Sequence, residues 1–310
     1  MKIIFIIHGR KRGVNQLLTR LHKTCGEAGL QQVWFLSTLR PKHAVELARQ
    51  AVENGCDYLM AVGGDGTLNE VVNGMMQSKV PASAYPVLGL LPFGSGNDFA
   101  RSAGLTAHPD RLLGLLKTRS IHRIDLGKVV LEPTGETRFF VNIAGLGLGP
   151  EVVRGMEQAS GRLGPQLTYF THILKGFFSY TKKHVRCSSG TWQWEGPLLQ
   201  MAVAKGRCFG NGLCIAPDAR LADGHFQLAL FGNLILWDYL KNLGNLKKGQ
   251  PVLHPQVTYL KAREVRVESP DGCGIEADGE YVGQAPAIFS ILPGAIRFLM
   301  PQETPTSPRD

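Results

Sequence analysis

The stretch that most limits how this chain can fold is Met60-Ala61-Val62-Gly63-Gly64-Asp65-Gly66-Thr67-Leu68-Asn69-Glu70-Val71-Val72-Asn73-Gly74. Its apolar lead-in, Tyr58 to Val62, has the length and composition of a buried strand bounded by Asp57 and Gly63. Leu68, Val71 and Val72 then recur at helical spacing, so a helix begins near Thr67. Between them, Gly63, Gly64 and Gly66 are expected to let the backbone adopt positive φ and approach a ligand closely. A strand, a glycine turn and a helix N-terminus present unpaired N–H groups and a positive dipole end to an anion. A Walker loop is excluded, because no lysine occurs between Asp57 and Met76. The dinucleotide fingerprint is excluded too, since Asn69 stands where its third glycine would be. Asp65, an acid inside an anion-binding turn, calls for a metal or a proton transfer to offset its charge. A tight turn capped by Asp and Thr would show the same residues.

A second glycine turn of the same build follows: Leu90-Leu91-Pro92-Phe93-Gly94-Ser95-Gly96-Asn97-Asp98-Phe99-Ala100, led in by an apolar run from Val87. Upstream, Ile3–Ile7 and Val33–Leu36 read as strands, with helices after each, the second from about Pro41 to Asn54. A further helix is expected around Leu112–Leu116. Alternating strands and helices argue for a parallel sheet covered on both faces, with ligands at the carboxyl ends of its strands. Thr38 and both glycine turns fall at such ends.

The alternation stops at Asp125. Short β-rich runs follow at 128–131, 138–143, 200–204, 226–231, 264–268 and 287–292. Closely spaced strands of this kind suggest an antiparallel sandwich. Helices interrupt them at Leu167–Lys183 and near Ile235–Lys248. The expected organisation is therefore α/β: a parallel-sheet nucleotide-binding domain over 1–126, a β-sandwich domain over 127–300, and a frayed tail over 301–310.

The net charge is +9, which favours anionic partners such as lipid headgroups or phosphorylated small molecules. The six cysteines lack CxxC pairs or metal-finger spacing and are expected to be reduced thiols of a cytoplasmic protein. The apolar N-terminal run stops at His8, too short for a signal peptide, and no window approaches the roughly 20 apolar residues of a membrane span. Membrane contact is expected to be peripheral, at the inner face. In Leu167–Lys183, aromatics such as Phe170, Phe177 and Phe178 mix with Lys175, Lys182 and Lys183; this suits either an interfacial helix or, by default, a core-facing one. Arg10, Lys11 and Arg12 form a basic turn that could face either phosphates of a nucleotide or headgroups, and is by default solvated.

GGDGTLNEVVNG and LPFGSGNDFA together resemble the catalytic domain of the diacylglycerol kinase family, which includes sphingosine kinases and bacterial lipid kinases of the YegS type. The resemblance implies an ATP-dependent lipid kinase with its active site in a cleft between two domains, ATP and a lipid as its partners, and no role for nucleic acid. It assigns ATP contacts to Thr38, to Gly63, Gly64, Asp65, Gly66, Thr67, Leu68, Asn69 and Glu70, and to Gly94, Ser95 and Asn97. Mg²⁺ would bridge the phosphates with help from Asp65. In Ala277-Asp278-Gly279-Glu280, family resemblance makes Glu280 the base that accepts the lipid hydroxyl proton. Asp278 is the competing acid, since a strand would aim both side chains to one face. The turn Ala216–Phe226 is similar to one that holds a structural magnesium, with Asp223 as the charged ligand and the carbonyls of Arg220 and His225 completing the shell. Asn142-Ile143-Ala144-Gly145-Leu146-Gly147-Leu148-Gly149 imitates a glycine fingerprint, but Pro150 and its β-rich surroundings argue against a dinucleotide site. The matching family turn often carries an acid, and Gly149 and Pro150 occupy that place. NAD kinases share a GGDGT loop but not the second turn with a later ADGE; a non-catalytic lipid- or nucleotide-binding protein is the other alternative.

Overall fold

The computed structural model describes residues 1–157 and 165–302. The chain divides into two compact units, Met1–Ile124 with the chain from Ala295 onward, and Asp125–Gly294. The final strand leaves the second unit and ends in the first. Of the expected tail, residues from 303 on lie outside the described residues.

In the first unit the elements alternate as β1 (Ile3–Ile7), α1 (Val14–Glu27), β2 (Val33–Ser37), α2 (His43–Glu53), β3 (Tyr58–Gly63), α3 (Asp65–Met76), β4 (Val87–Pro92), α4 (Asp98–Ser102) and α5 (Pro109–Thr118). The strands are parallel in the order β2-β1-β3-β4. Their register is even: Ile7 lies beside Ser37 and Val62, and Gly63 beside Pro92. The carboxyl ends therefore finish level, and the segments after β2, β3 and β4 emerge along one edge. Strands β1, β3 and β4 are buried along their whole length, as expected when helices cover both faces. Ile3, Phe5, Leu21, Met60, Val62, Leu91, Leu112 and Leu299 share one core.

The chain passes through β5 (Ile121–Leu131) into the second unit. There follow β6 (Thr137–Phe140), β7 (Ile143–Gly147), α6 (Leu148–Glu157), α7 (Pro165–Ser179), β8 (Lys183–Ser189), β9 (Trp192–Leu198), β10 (Gln200–Ala204), β11 (Phe226–Phe231), α8 (Leu236–Lys248), β12 (Val257–Ala262), β13 (Glu264–Glu268), β14 (Gly274–Ala277), β15 (Glu280–Gln284) and β16 (Ala287–Leu299). One antiparallel sheet runs β12-β11-β10-β7-β14-β15. A second layer includes β16, β13, β8 and β9, with β5 beside β6. Alternation decides which face each residue serves. Met201, Val203, Leu228 and Leu230 pack against Val185, Val265 and Phe289 of the other layer. Ala202, Ala204, Ala229 and Phe231 point the opposite way, into a core with Val152, Ile173 and Leu246 from the three helices. That second face explains why β10 and β11 are buried throughout.

Two expectations need correction here. Helix α7 ends at Ser179, and Lys183 already belongs to β8. Cys208 and Cys214 form a disulfide, because the antiparallel bridge between Phe209 and Leu213 brings them opposite each other. Cys25, Cys56, Cys187 and Cys273 are free and buried, as expected.

Candidate active site

The edge at the carboxyl ends of β2, β3 and β4 gathers Thr38 and both glycine turns. The glycines are required for a reason other than the expected one. Gly63, Gly64, Gly66 and Gly94 are absent from the left-handed positions, which in this region include Asn97 at φ 53°. What forbids a side chain is contact between the two turns. A Cβ on Gly94 would stand 2.4 Å from the Gly64 Cα, and one on Gly64 would stand 2.9 Å from the Gly94 Cα. At Gly63 a Cβ would collide with the Thr67 hydroxyl at 2.3 Å. Gly66, by contrast, has open space around it and is exposed.

Asp65 locks this contact. Its carboxylate accepts hydrogen bonds from the N–H groups of Asp98 (3.1 Å) and Phe99 (2.9 Å), the first residues of α4. It therefore caps a helix in the other turn. Asn97 closes its own turn: its Oδ1 accepts from the Gly94 N–H at 2.8 Å, and its Nδ2 donates to the Gly94 carbonyl at 3.2 Å. Phe93 N–H donates to the Gly63 carbonyl at 2.7 Å, continuing the β3–β4 ladder into the turns. Thr38 is nearly buried, its hydroxyl accepting from Gly9 N–H at 3.1 Å. Ser95 is exposed at the tip of the second turn.

Three residues expected to touch nucleotide point elsewhere. Leu68 is fully buried. Asn69 is buried and accepts from Asn73 Nδ2 at 3.1 Å. Glu70 receives N–H bonds from Lys42 (3.2 Å) and Ala44 (3.0 Å), holding the start of α2. The edge is thus lined by Thr38, Gly63–Thr67 and Gly94–Asn97, and the following helical residues carry the scaffold.

In the second unit, β14 and β15 form a hairpin whose two turn residues, Asp278 (φ 50°) and Gly279 (φ 84°), both have positive φ. This is the Asp-Gly preference of a tight two-residue hairpin. Asp278 consequently lies within the turn and Glu280 just after it, and the two do not share a strand face. Asp278 accepts from the N–H groups of Val141 (2.8 Å), Asn142 (3.0 Å) and Ile143 (3.0 Å). Its lone pairs are committed to fixing the hairpin against the β6–β7 connection. Glu280 opens β15 and is half-buried.

Residues 2–129 match the diacylglycerol kinase catalytic domain, and residues 146–300 match the YegS C-terminal NAD kinase beta sandwich-like domain. A probable lipid kinase YegS-like of Pseudomonas aeruginosa is 30% identical over 307 residues, 98% of this chain and 96% of that protein. The chain belongs to the diacylglycerol kinase family. A diacylglycerol kinase of Bacillus subtilis is 29% identical over 261 residues, covering 84% of this chain and 83% of its own. Among solved structures, a putative diacylglycerol kinase from Bacillus anthracis superposes with a TM-score of 0.77 at 19% identity, over 97% of both chains, and supports the fold.

One family feature meets a different arrangement in this diacylglycerol kinase relative. The turn expected to hold magnesium already carries a cation, the side chain of Lys205. Its Nζ lies 2.8 Å from Asp125 Oδ2, 2.9 Å from Asp223 Oδ1 and 2.7 Å from the His225 carbonyl. Lys261 Nζ lies 3.0 Å from Asp223 Oδ2. Burial alone would raise the Asp223 pKa, but hydrogen bonds from Lys205 and Lys261 outweigh it and hold the carboxyl below its ordinary value. Arg220 lies on the exposed side of the turn. Among the described residues, no group of three or more His, Cys, Asp or Glu is placed to hold a metal. The donor set does not fit a divalent ion.

Of the basic turn, Lys11 lies beside the second glycine turn, and one further residue, Glu276, had no signal in the sequence. Lys11 sits with its Nζ 5.1 Å from the centre of the Phe93 ring, immediately before Gly94, and partial burial lowers its pKa. Glu276 is fully buried two residues before Asp278. Burial pushes its carboxyl up to about 8, against a hydrogen bond from Gly279 N–H at 2.8 Å. Gly145, the centre of the imitation fingerprint, is what makes room for it: a Cβ there would lie 2.4 Å from Glu276 Oε1.

Proposed function

We propose that this protein transfers the γ-phosphoryl group of MgATP to the hydroxyl of a lipid. The observation that carries the reading is the backbone-to-backbone contact of two glycine turns at one sheet edge, clasped by Asp65. That edge offers a helix N-terminus and closely packed main chain to a polyphosphate, with Lys11 beside it as a cation. Glu280 takes the proton of the acceptor hydroxyl, the freed oxygen attacks the γ-phosphorus, and ADP leaves. Such transfer is chiefly a matter of positioning and charge neutralisation.

For a lipid acceptor, the support lies in the second unit. An apolar pocket there is lined by Leu148, Val152, Ile173, Phe177, Phe231 and Leu246, among others, with Gln200 beside them, and suits an acyl chain. On α7, Ile173 and Phe177 face this core, while Phe178 is 82% exposed. More apolar surface is exposed around α8, at Ile235, Trp237, Leu240 and Leu253, with Lys241 stacked on Trp237 and Lys247 and Lys248 nearby. Aromatic and aliphatic side chains among lysines suit the face of an anionic bilayer. No helix among the described residues is long and apolar enough to cross a membrane, so we assign peripheral contact at the inner face.

The test is a panel of diacylglycerol, phosphatidylglycerol and a sphingoid base, with NAD as a soluble control, incubated with labelled ATP and Mg²⁺ and resolved by thin-layer chromatography. A labelled lipid product is expected. Label in the NAD product alone would replace the lipid acceptor with a soluble one, and no transfer to any acceptor would leave a binding protein.

A further inference from the structure

Lys205 follows directly on β10, and its side chain is completely buried. A lysine in that position needs a partner for its charge and for each N–H. An ammonium has three N–H groups, and three acceptors surround it: Asp125 Oδ2, Asp223 Oδ1 and the His225 carbonyl. The carboxylates are equally complete. Asp125 Oδ2 also accepts from Gly224 N–H at 2.8 Å, and its Oδ1 accepts from Gly294 N–H at 2.8 Å. Asp223 Oδ1 also accepts from His225 N–H at 3.2 Å, and its Oδ2 takes Lys261.

Charge balances as well. Two carboxylates face two ammonium groups, one buried and one half-exposed. A divalent ion sharing these oxygens would lie within a few ångströms of a buried positive charge. It would also need about six oxygens at roughly 2.0–2.1 Å, as magnesium does. Through its two carboxylate partners the ammonium ties together β5, the 223–225 turn and the chain at Gly294 in β16. Cross-linking separate segments through shared oxygens is the work a structural ion performs.

We propose that Lys205 is a built-in cation standing in for a structural divalent metal, so that folding of this chain needs no metal. Divalent ions then enter only with the nucleotide. The inference concerns the fold and is independent of which acceptor is phosphorylated.

The experiment uses the full chain without nucleotide. Thermal melts in EDTA, Mg²⁺ and Mn²⁺ are compared for wild type, Lys205→Asn and Asp223→Asn, with equilibrium dialysis against Mn²⁺ as the direct binding readout. The wild type is expected to melt at the same temperature in all three conditions and to hold no stoichiometric Mn²⁺. Lys205→Asn strands the buried Asp125 carboxylate and leaves Asp223 with Lys261 alone, and is expected to melt roughly 10 °C lower in EDTA. A wild-type melting temperature that rises with Mg²⁺ and loses that rise in Asp223→Asn would overturn the proposal. So would Lys205→Asn melting like wild type in EDTA. Where that variant yields no folded protein, the wild-type melts and dialysis decide alone.

Discussion

The glycine edge of the first unit and the hairpin of the second solve one construction problem with the same residue and leave different groups for chemistry. In each, an aspartate accepts N–H bonds from a segment distant in sequence: Asp65 from the start of α4, and Asp278 from the β6–β7 connection. Each aspartate sits in the most acidic-looking part of its motif, yet each is consumed in holding backbone. At the glycine edge, what remains is main chain, hydroxyls and a nearby lysine, a set suited to binding an anion. At the hairpin the carboxylate outside this clasp is Glu280, the base of the proposed transfer.

The sharpest way to break that comparison is at the hairpin. Glu280→Gln keeps shape and removes basicity, so kcat should fall by about 10²–10⁴ while ATP affinity survives. Asp278→Asn weakens a carboxylate that accepts three N–H bonds, and its activity should fall in step with a lowered melting temperature. Steady-state kinetics beside thermal melts separate the two. Near-normal kcat in Glu280→Gln, with Asp278→Asn folded but inactive, would exchange their roles.

At the glycine edge, Asp65→Ala removes two hydrogen bonds to a charged acceptor on a half-buried side chain. The expected cost is about 2–3 kcal/mol of stability, together with weaker ATP binding as the two turns separate. Urea unfolding and nucleotide titration read both effects. A variant that loses activity while keeping wild-type stability would show that Asp65 acts on the phosphates or their metal and does not serve as a clasp.

Much of the first unit was legible because parallel strands buried on both faces appear as continuous apolar runs, and β1, β3 and β4 do so. In the second unit, β8 and β9 went unread. Their alternation, with His184 and Arg186 outside and Val185 and Cys187 inside, is that of a strand with one face in the core, and their polar half masks it. Strand β7 was mistaken for a glycine turn because Gly145 is dictated by a neighbour on β14, far away in sequence. Likewise the glycines at 63 and 64 suggested unusual dihedrals, when Gly63 is constrained by Thr67 and Gly64 by Gly94 of the other turn. Lys205 carried no signal at all. A lysine shows its burial only when the chain has folded around it.

Glu276 extends the comparison to pH: Asp98, the buried acid beside the glycine edge, is paired with Arg101, whereas Glu276 is met by a backbone N–H. Its folded pKa of about 8 lies above the ordinary 4.5, so the folded state keeps a proton that the unfolded chain gives up. Its contribution to stability is therefore complete below 4.5, declines as pH rises from there to about 8, and is level beyond. The slope within that window is at most about 1.4 kcal/mol per pH unit. Glu276→Gln should flatten the decline in melting temperature between about pH 6 and pH 8. Parallel pH profiles in the two proteins would discount a proton on Glu276.

The smallest effect belongs to Lys11, and it tests whether the glycine edge binds phosphate at all. Its ammonium lies over Phe93 at the entrance to the second turn and is partly buried, which lowers its pKa from the usual lysine value. An anion placed on the edge would favour the charged form and compensate for that burial. Lys11→Met keeps most of the apolar stem that covers the ring and removes the charge. About 1 kcal/mol of attraction to a partly exposed phosphate is the expected loss, a roughly fivefold rise in KM for ATP with kcat little changed. The wild-type interaction should weaken with added salt more than that of the variant, because only the wild type has this charge to screen. If KM for ATP is unchanged and both proteins respond alike to salt, Lys11 serves Phe93 alone, and the main chain of the two turns must hold the phosphates without it.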